Sequence, residues 1–380
     1  MCLFPTGGNS PEGVQLCLVC GDRGTADLIG NVLLFIPVGF AAFLVTRSAG
    51  RALLVGALLS LGVEAAQLWI PGRYTTVSDL VANSSGALLG ALLGATREGW
   101  WRPNRELALK LSYAWAGFAT VLILTSGFLL SPSVPRGELY AGWTPELEGF
   151  STYGGRILAA QLGGIPLPDR RLDDQAWVRA ALERGVEPLV VRFQAGPEPA
   201  RPAVLFRIVD GNRREGLRIG VDRSNLWIAP RYRADDLRLS RPVFTLSRAL
   251  AGEAAGNRAE LTLSRALSAS SEVSLDGNPL ASLELTAGRG WSLLFFSRRF
   301  PYGWLGALDL LWLGLLFAPL GWWAPSRRSL WLAGIPVALL IAAPWWSTLA
   351  SSPPSELAAV AVAALTGQIL HSTRERGRFH

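Results

Sequence analysis

The chain contains seven apolar runs. Four of them precede, and three follow, a long segment that has no run long enough to span a membrane. Each run approaches the roughly 20 residues that an α-helix needs to cross a bilayer. The third and the last are short and rich in Gly and Ala, which suits close packing of helices. The runs cover residues 27–45, 52–70, 79–95, 110–130, 302–323, 329–349 and 355–370. This pattern predicts an α-helical, multi-spanning membrane protein.

The segment between the fourth and fifth runs, residues 131–300, has the pattern of β-strands. Short stretches such as AVLFRIVD and GLRIGVD alternate apolar and polar positions, and DGN turns at 210–212 and 276–278 separate some of them. Many short strands at regular spacing are typical of an antiparallel sandwich. The predicted fold class is therefore a multi-spanning helical membrane protein with an inserted all-β extracytoplasmic sandwich.

Basic residues are distributed unevenly among the loops, and this asymmetry predicts an orientation in the plasma membrane. The first, third and fifth loops and the C-terminal tail each carry several basic residues, whereas the second loop has Arg73 alone and the sixth has none. Because cytoplasmic loops are enriched in Lys and Arg, the basic loops and the C-terminus are predicted to be cytoplasmic. The predicted domains are an extracytoplasmic segment (1–26), four spans (27–130), an extracytoplasmic β-sandwich (131–300), three spans (301–370) and a basic cytoplasmic tail (371–380).

Composition narrows the class of partner. The net charge is +7, but the basic residues lie in loops between apolar runs and the chain has no nucleic-acid-binding motif, so no nucleic acid is expected. Several of the 15 Trp residues lie beside apolar runs, which fits the headgroup region of a membrane. Cys17 and Cys20 form a CxxC pair. They predict a disulfide if the N-terminal segment lies outside the cytoplasm, with two unpaired thiols as the alternative.

The first three predicted spans carry polar side chains at depths where lipid is expected. In each span a carboxylate and an amide stand three or four positions apart and therefore share one helix face. The six residues are Asp27, Asn31, Glu64, Gln67, Asp79 and Asn83. Because charges inside a bilayer usually face a bundle interior or a water-filled cavity, the pattern predicts one polar pocket open to the outer leaflet. Arg73 is a candidate charge partner, and hydrogen bonds that merely hold the helices together are the alternative.

These polar positions belong to a longer pattern. The chain reads D-x3-N-x3-F-x-P-x-G from Asp27, S-x3-E-x2-Q from Ser60 and D-x3-N-x2-G-x3-G from Asp79. Over residues 27–95 it resembles the VanZ family, membrane proteins named for a member that lowers susceptibility to the glycopeptide teicoplanin. The resemblance implies a protein of the bacterial cell envelope. Such domains usually have a further helix before the first motif, and that helix is expected upstream of this sequence. They usually also carry an acidic residue shortly before the last Asp, whereas residues 75–78 of this chain include none.

The β segment resembles a second family through weaker motifs. Residues 150–297 are similar to concanavalin A-like, LamG-type jelly rolls, in which a later hairpin carries a VDG turn; here the turn reads LDG at 275–277. The resemblance implies glycan binding, and calcium is the one candidate cofactor. Its candidate ligands are Asp210, Asn212 and Asp222, although Asp and Asn also dominate hairpin turns for local hydrogen-bonding reasons.

Three functions fit these observations. The preferred one is binding: the pocket holds a membrane lipid, a lipid-linked cell-wall precursor or an amphipathic glycopeptide at the outer leaflet, the sandwich contacts glycan, and the protein lowers glycopeptide susceptibility. The second is an enzyme that acts on a lipid or polyprenyl-linked headgroup through the intramembrane carboxylates. No His, Cys nucleophile or Ser-His-Asp set accompanies them in the spans. The third is a transporter, but the chain has no internal repeat of the kind that many transporters show.

Overall fold

The structure is a computed structural model, and it describes residues 19, 21–67, 69, 76–266, 270–300 and 302–376. Cys17, Cys20 and Arg73 lie outside the described residues. The helices are α1 (Gly24–Thr46), α2 (Ala49–Gln67), α3 (Val77–Ala95), α4 (Arg97–Trp101), α5 (Arg105–Leu129), α6 (Gln175–Arg184), α7 (Leu305–Trp323), α8 (Gly334–Ile341), α9 (Ala343–Trp346) and α10 (Pro354–Arg376).

Helices α1, α2 and α3 form a bundle whose backbones approach each other closely at glycines. A Cβ added at Gly90 on α3 would lie 1.9 Å from the carbonyl oxygen of Ile36 on α1. One added at Gly39 on α1 would lie 1.9 Å from the carbonyl oxygen of Ala87 on α3. On α2, Gly56 approaches the Cβ of the same Ala87. Membrane helices pack through such small residues because van der Waals contact, and not the hydrophobic effect, holds them together in lipid.

In the described part of the chain, five helices are long and apolar enough to cross a membrane: α1, α2, α3, α5 and α7. They correspond to the first five predicted spans. The sequence analysis therefore predicted two more spans than there are helices of sufficient length and apolar composition in the described residues. The predicted span 329–349 is not one continuous helix; it contains two separate short helices, α8 and α9. Pro336 and Pro344 each lie in the first turn of a helix, where a missing N–H costs no hydrogen bond. The seventh predicted span lies within α10.

Residues between α5 and α7 form a β domain of two antiparallel sheets. Its strands are β1 (Leu139–Trp143), β2 (Arg156–Leu162), β3 (Ile165–Pro166), β4 (Leu189–Gln194), β5 (Ala203–Asp210), β6 (Glu215–Asp222), β7 (Asn225–Pro230), β8 (Phe244–Leu246), β9 (Arg258–Leu263), β10 (Ser270–Leu275) and β11 (Asn278–Glu284). One sheet has the order β1-β5-β6-β7-β8, and the other has the order β11-β10-β9-β4-β2-β3. The predicted all-β segment between the helical parts is thus present.

The two sheets share one hydrophobic core, built from the apolar positions that alternate along each strand. Phe193 on β4 and Phe206 on β5 are fully buried in it, and Leu182 of α6 also belongs to it. The predicted turns at 210–212 and 276–278 lie in the hairpins β5–β6 and β10–β11. In the second hairpin, Asp276 and Gly277 have φ values of 49° and 78°, the left-handed conformation that such tight turns require.

The β domain and the C-terminal helices meet in a second core. Tyr232, which follows β7, belongs to the same buried cluster as Ile123 of α5 and Phe317 of α7. Helices α7 and α10 pack as tightly as α1 and α3: a Cβ added at Gly321 would lie 1.8 Å from the carbonyl oxygen of Ala364. The β domain therefore rests directly on the helical part.

Candidate functional site

A cavity of about 230 Å³ lies between α1, α2 and α3. It is lined by polar residues from all three helices together with aliphatic side chains and one phenylalanine. Its lining comprises Asn31, Leu34, Phe35, Val38, Leu59, Val63, Glu64, Gln67, Asp79 and Asn83. Five of the six polar residues singled out in the sequence therefore line one cavity. The helix positions predicted a common face within each pair, and the bundle brings five of these residues together, without Asp27.

Asn31 and Asp79 connect α1 with α3 at this cavity. The side-chain Nδ2 of Asn31 donates a hydrogen bond of 2.5 Å to Oδ1 of Asp79. The backbone N–H of Asp79 donates to the hydroxyl of Thr76, which caps the start of α3 at 3.1 Å. The Thr76 cap stabilises the first turn of α3, and the hydrogen bond from Asn31 orients the carboxylate of Asp79 in that turn.

Glu64 connects α2 with the same helix start. Its side chain is only 4% exposed, and its Oε2 accepts a hydrogen bond from the backbone N–H of Thr76 at 3.3 Å. Gln67, one turn later on α2, is also buried. Thr76 therefore links both residues, because its N–H donates to the carboxylate of Glu64 and its hydroxyl accepts the backbone N–H of Asp79. The sequence analysis did not single out Thr76, although a Thr just before an apolar helix is a typical N-cap residue and was the signal available.

Ser60 and Asn83 form a third polar link, between α2 and α3. The Nδ2 of Asn83 donates a hydrogen bond of 2.9 Å to the hydroxyl of Ser60, and both residues are buried. The Oδ1 of Asn83 is buried without a hydrogen-bond partner among the residues that the structure describes. A buried acceptor that lacks a donor is unfavourable, so a ligand with an N–H or O–H group would be favoured there. Ser60 is the first residue of the S-x3-E-x2-Q pattern, and this pattern was the sequence signal that could have identified it as part of the site.

Asp27 does not line this cavity. It lies in the first turn of α1 and its side chain is exposed, one turn before Asn31. A carboxylate at a helix N-terminus is favoured by the helix dipole, which accounts for Asp27 without a role in the cavity. Arg73, the candidate charge partner, lies outside the described residues.

The three candidate calcium ligands do not lie together. Asp210 and Asn212 belong to the β5–β6 turn, where Oδ1 of Asp210 accepts the backbone N–H groups of Asn212 and Arg214 at 2.9 and 2.8 Å. Asp222 lies at the other end of β6 and forms an ion pair of 3.2 Å with Arg298. Among the described residues, no group of three or more His, Cys, Asp or Glu side chains could hold a metal ion.

A second buried polar cluster lies where the β domain meets α7 and α10. Arg289 forms a salt bridge of 2.9 Å with Asp309 on α7, and the indole N–H of Trp291 donates to the same carboxylate at 2.6 Å. The hydroxyl of Thr286 donates to Glu356 on α10 at 2.6 Å. These residues are far apart in sequence, so no local periodicity predicted their contact. The cluster anchors the last segment of the β domain to two helices.

The fold and this site define a class: a multi-pass helical membrane protein with a polar cavity between its first three helices and a β domain between its helical parts. Residues 7–97 match the family model described as VanZ/LLP1. The matched region contains the three helices around the cavity, and this part of the chain is VanZ-like. No curated protein and no solved structure matches the chain. The concanavalin A-like, LamG-type resemblance of residues 150–297 stays a prediction.

Proposed function

We propose that the VanZ-like domain binds the polar head of an amphipathic ligand, a membrane lipid or a lipid-linked cell-wall precursor, at the outer leaflet. The observation that carries the proposal is the convergence of Asn31, Glu64, Asp79 and Asn83 on one cavity with an apolar wall. Ligand sites commonly combine such a wall with a few polar groups that fix the orientation of the ligand.

The volume of the cavity limits the ligand. Sites for drug-sized molecules usually enclose 300–1,000 Å³, and water occupies roughly 30 Å³ per molecule in the liquid. A cavity of about 230 Å³ therefore has the volume of about eight water molecules. This suits a headgroup or one sugar or peptide end, whereas an amphipathic glycopeptide would be held only by a protruding part.

The cavity wall supplies a route for the apolar part of the ligand. Leu34 on α1 and Leu59 on α2 both line the cavity, yet they are 53% and 49% exposed at the helix surface that faces lipid. An acyl or polyprenyl chain would leave the cavity between these two side chains and stay in the bilayer. Retention of a lipid-linked cell-wall precursor in this way would alter how a glycopeptide antibiotic reaches its target and lower susceptibility to it.

The test is native mass spectrometry of the full chain from nanodiscs, with wild type compared with the double variant Glu64→Gln/Asp79→Asn. The probes are a polyprenyl-linked cell-wall precursor, common phospholipids and a lipoglycopeptide. Glu98→Gln, on the exposed surface of α4, is the matched control because it also removes a carboxylate. The expected result is one probe retained by wild type and the control and lost from the double variant. Equal retention of every probe by all three proteins would overturn the proposal.

A further inference from the structure

Two arginines stand directly opposite each other on the outer face of the five-stranded sheet. Arg207 on β5 pairs in register with Arg218 on β6, and the flanking residues Phe206 and Ile219 point into the domain core. Because side chains alternate along strands, both guanidinium groups belong to the face away from that core. Like charges directly opposite each other in a sheet are destabilising, so this pair needs a compensating partner.

The acidic residues on this face do not supply enough compensation. Glu215 forms ion pairs with both Arg218 and Arg241, at 2.9 Å for the latter, so one carboxylate serves two cations. Asp235 contributes a second contact to Arg241 at 3.3 Å. Arg207 takes part in no salt bridge within the described residues. Its Nε is buried there without a hydrogen-bond partner and packs over the backbone of Gly142, and the Nε of Arg218 is likewise buried without one.

Aromatic side chains hold the neighbouring cations in place. The guanidinium of Arg218 lies 5.1 Å from the ring centroid of Phe150, and that of Arg298 lies 4.6 Å from the ring centroid of Trp227. Such stacking orients guanidinium groups while leaving their N–H edges available. Burial lowers the pKa of the Arg218 guanidinium, Glu215 opposes this effect, and the neighbouring positive charges of Arg241 and Arg207 add to it.

This face also lies near the end of the helical part. Arg218 pairs in register with Ala229 of β7, and Tyr232, three residues further along, is buried against α5 and α7. Three residues of extended chain span about 10 Å. Arg233 stacks at 4.5 Å on Phe128, in the last turn of α5. The arginine pair is thus close to where the headgroups of a surrounding membrane would lie.

We propose that Arg207 and Arg218 form a binding site for a phosphate group, either free in solution or carried by a lipid headgroup. Guanidinium groups bind phosphate oxygens through paired N–H donors, and such charge-assisted bonds are stronger than neutral ones. A phosphate between the two arginines would accept hydrogen bonds from their guanidinium groups and relieve the like-charge contact. This site is separate from the cavity between α1, α2 and α3, so it does not depend on the function proposed for that cavity.

The experiment measures thermal unfolding of the purified full chain in maltoside micelles, which contain no phosphate. Inorganic phosphate and phosphatidic acid are added in separate titrations to wild type, Arg207→Gln and Arg207→Lys. Arg214→Gln is the control, because it removes one positive charge from an exposed position in the adjacent β5–β6 turn. Arg207→Lys retains the charge without Nε, so it keeps the test valid if Arg207→Gln does not fold.

Wild type and Arg214→Gln are expected to be stabilised, whereas the apparent affinity falls about tenfold in Arg207→Gln and by less in Arg207→Lys. Without phosphate, Arg207→Gln should unfold at the same temperature as wild type or a higher one, since the like-charge contact is gone. Stabilisation by both probes supports a site open to free phosphate, and stabilisation by phosphatidic acid alone supports a lipid site. No stabilisation of wild type, or the same response in wild type and both Arg207 variants, would overturn the proposal.

Discussion

The side chain of Asn31 on α1 donates a hydrogen bond of 2.5 Å to the carboxylate of Asp79 on α3. The two residues are 48 positions apart, and the helices that carry them touch through glycines. This bond, together with the links from Thr76 to Glu64 and from Asn83 to Ser60, sets the relative rotation of the three helices around the cavity.

Replacement of Asn31 tests this link. Asn31→Ala should lower the free energy of unfolding by about 1–3 kcal/mol, because it removes a hydrogen bond to a carboxylate at a partly buried site. Asp79→Ala should cost a similar amount, and the double variant should cost less than the sum of the two. Thermal unfolding in nanodiscs gives the coupling. Ser85→Ala, an exposed position on α3, is the control, and additive single losses would contradict the link.

Close approach of α1 and α3 can be tested at Gly90. Gly90→Leu should separate the helices, because the first added carbon would already lie 1.9 Å from the backbone of Ile36. We expect a loss of about 1–3 kcal/mol or more in the free energy of unfolding, together with loss of ligand binding in the cavity. Gly30→Ala on α1 is the control, because a Cβ there meets no atom within 4 Å in the described residues. It should be neutral or slightly stabilising by helix propensity.

Replacing Asp27 and replacing Glu64 should have different effects on ligand binding, although both residues are carboxylates near the ends of the first two spans. Asp27→Asn changes an exposed side chain outside the cavity and should leave the retention of a ligand by native mass spectrometry unchanged. Glu64→Gln changes a cavity residue that is 4% exposed and should reduce retention at least about tenfold, because it replaces a buried carboxyl group that lines the cavity. The reverse order of effects would show that the ligand site lies elsewhere.

The cluster at the domain junction should be strongly coupled. Asp309→Ala leaves Arg289 without its salt-bridge partner in a buried place, and breaking such a pair costs about 3–5 kcal/mol. Replacing both residues by uncharged ones should recover part of this loss. Chemical unfolding followed by tryptophan fluorescence measures it, since Trp291 donates to Asp309. Lys110→Gln, which breaks an exposed ion pair with Glu106, should change stability by less than about 1 kcal/mol.

Asp210 provides a test of the calcium hypothesis. Its Oδ1 accepts two backbone N–H groups of its own turn, so Asp210→Ala should lower the free energy of unfolding by about 1–3 kcal/mol. We expect the loss to be the same with calcium and with a chelator, and wild type itself to unfold at the same temperature in both. A calcium-dependent unfolding temperature that Asp210→Ala abolishes would instead identify a cation site in this turn.

Local sequence patterns determined much of this protein. The lengths of apolar runs predicted α1, α2, α3, α5 and α7, because the thickness of a bilayer fixes the length of a spanning helix. Alternation and turn residues predicted the β segment, because side chains of a strand point to opposite faces. Spacings of three and four residues placed each carboxylate and its amide on one helix face, since that spacing is about one helical turn.

Only the tertiary structure decided which of these faces meet. Asn31 bonds to Asp79, while Asp27 on the same stripe lies one turn nearer the start of α1 and stays outside the cavity. The glycine contacts between α1 and α3 fix which turn of α1 meets the start of α3. The structure also joins Arg289 to Asp309 and places Arg207 opposite Arg218. Such contacts depend on strand register and on the approach of segments distant along the chain. The spacing of polar and apolar residues shows which side chains share a face of one helix or strand. It does not show which other helix or strand packs against that face.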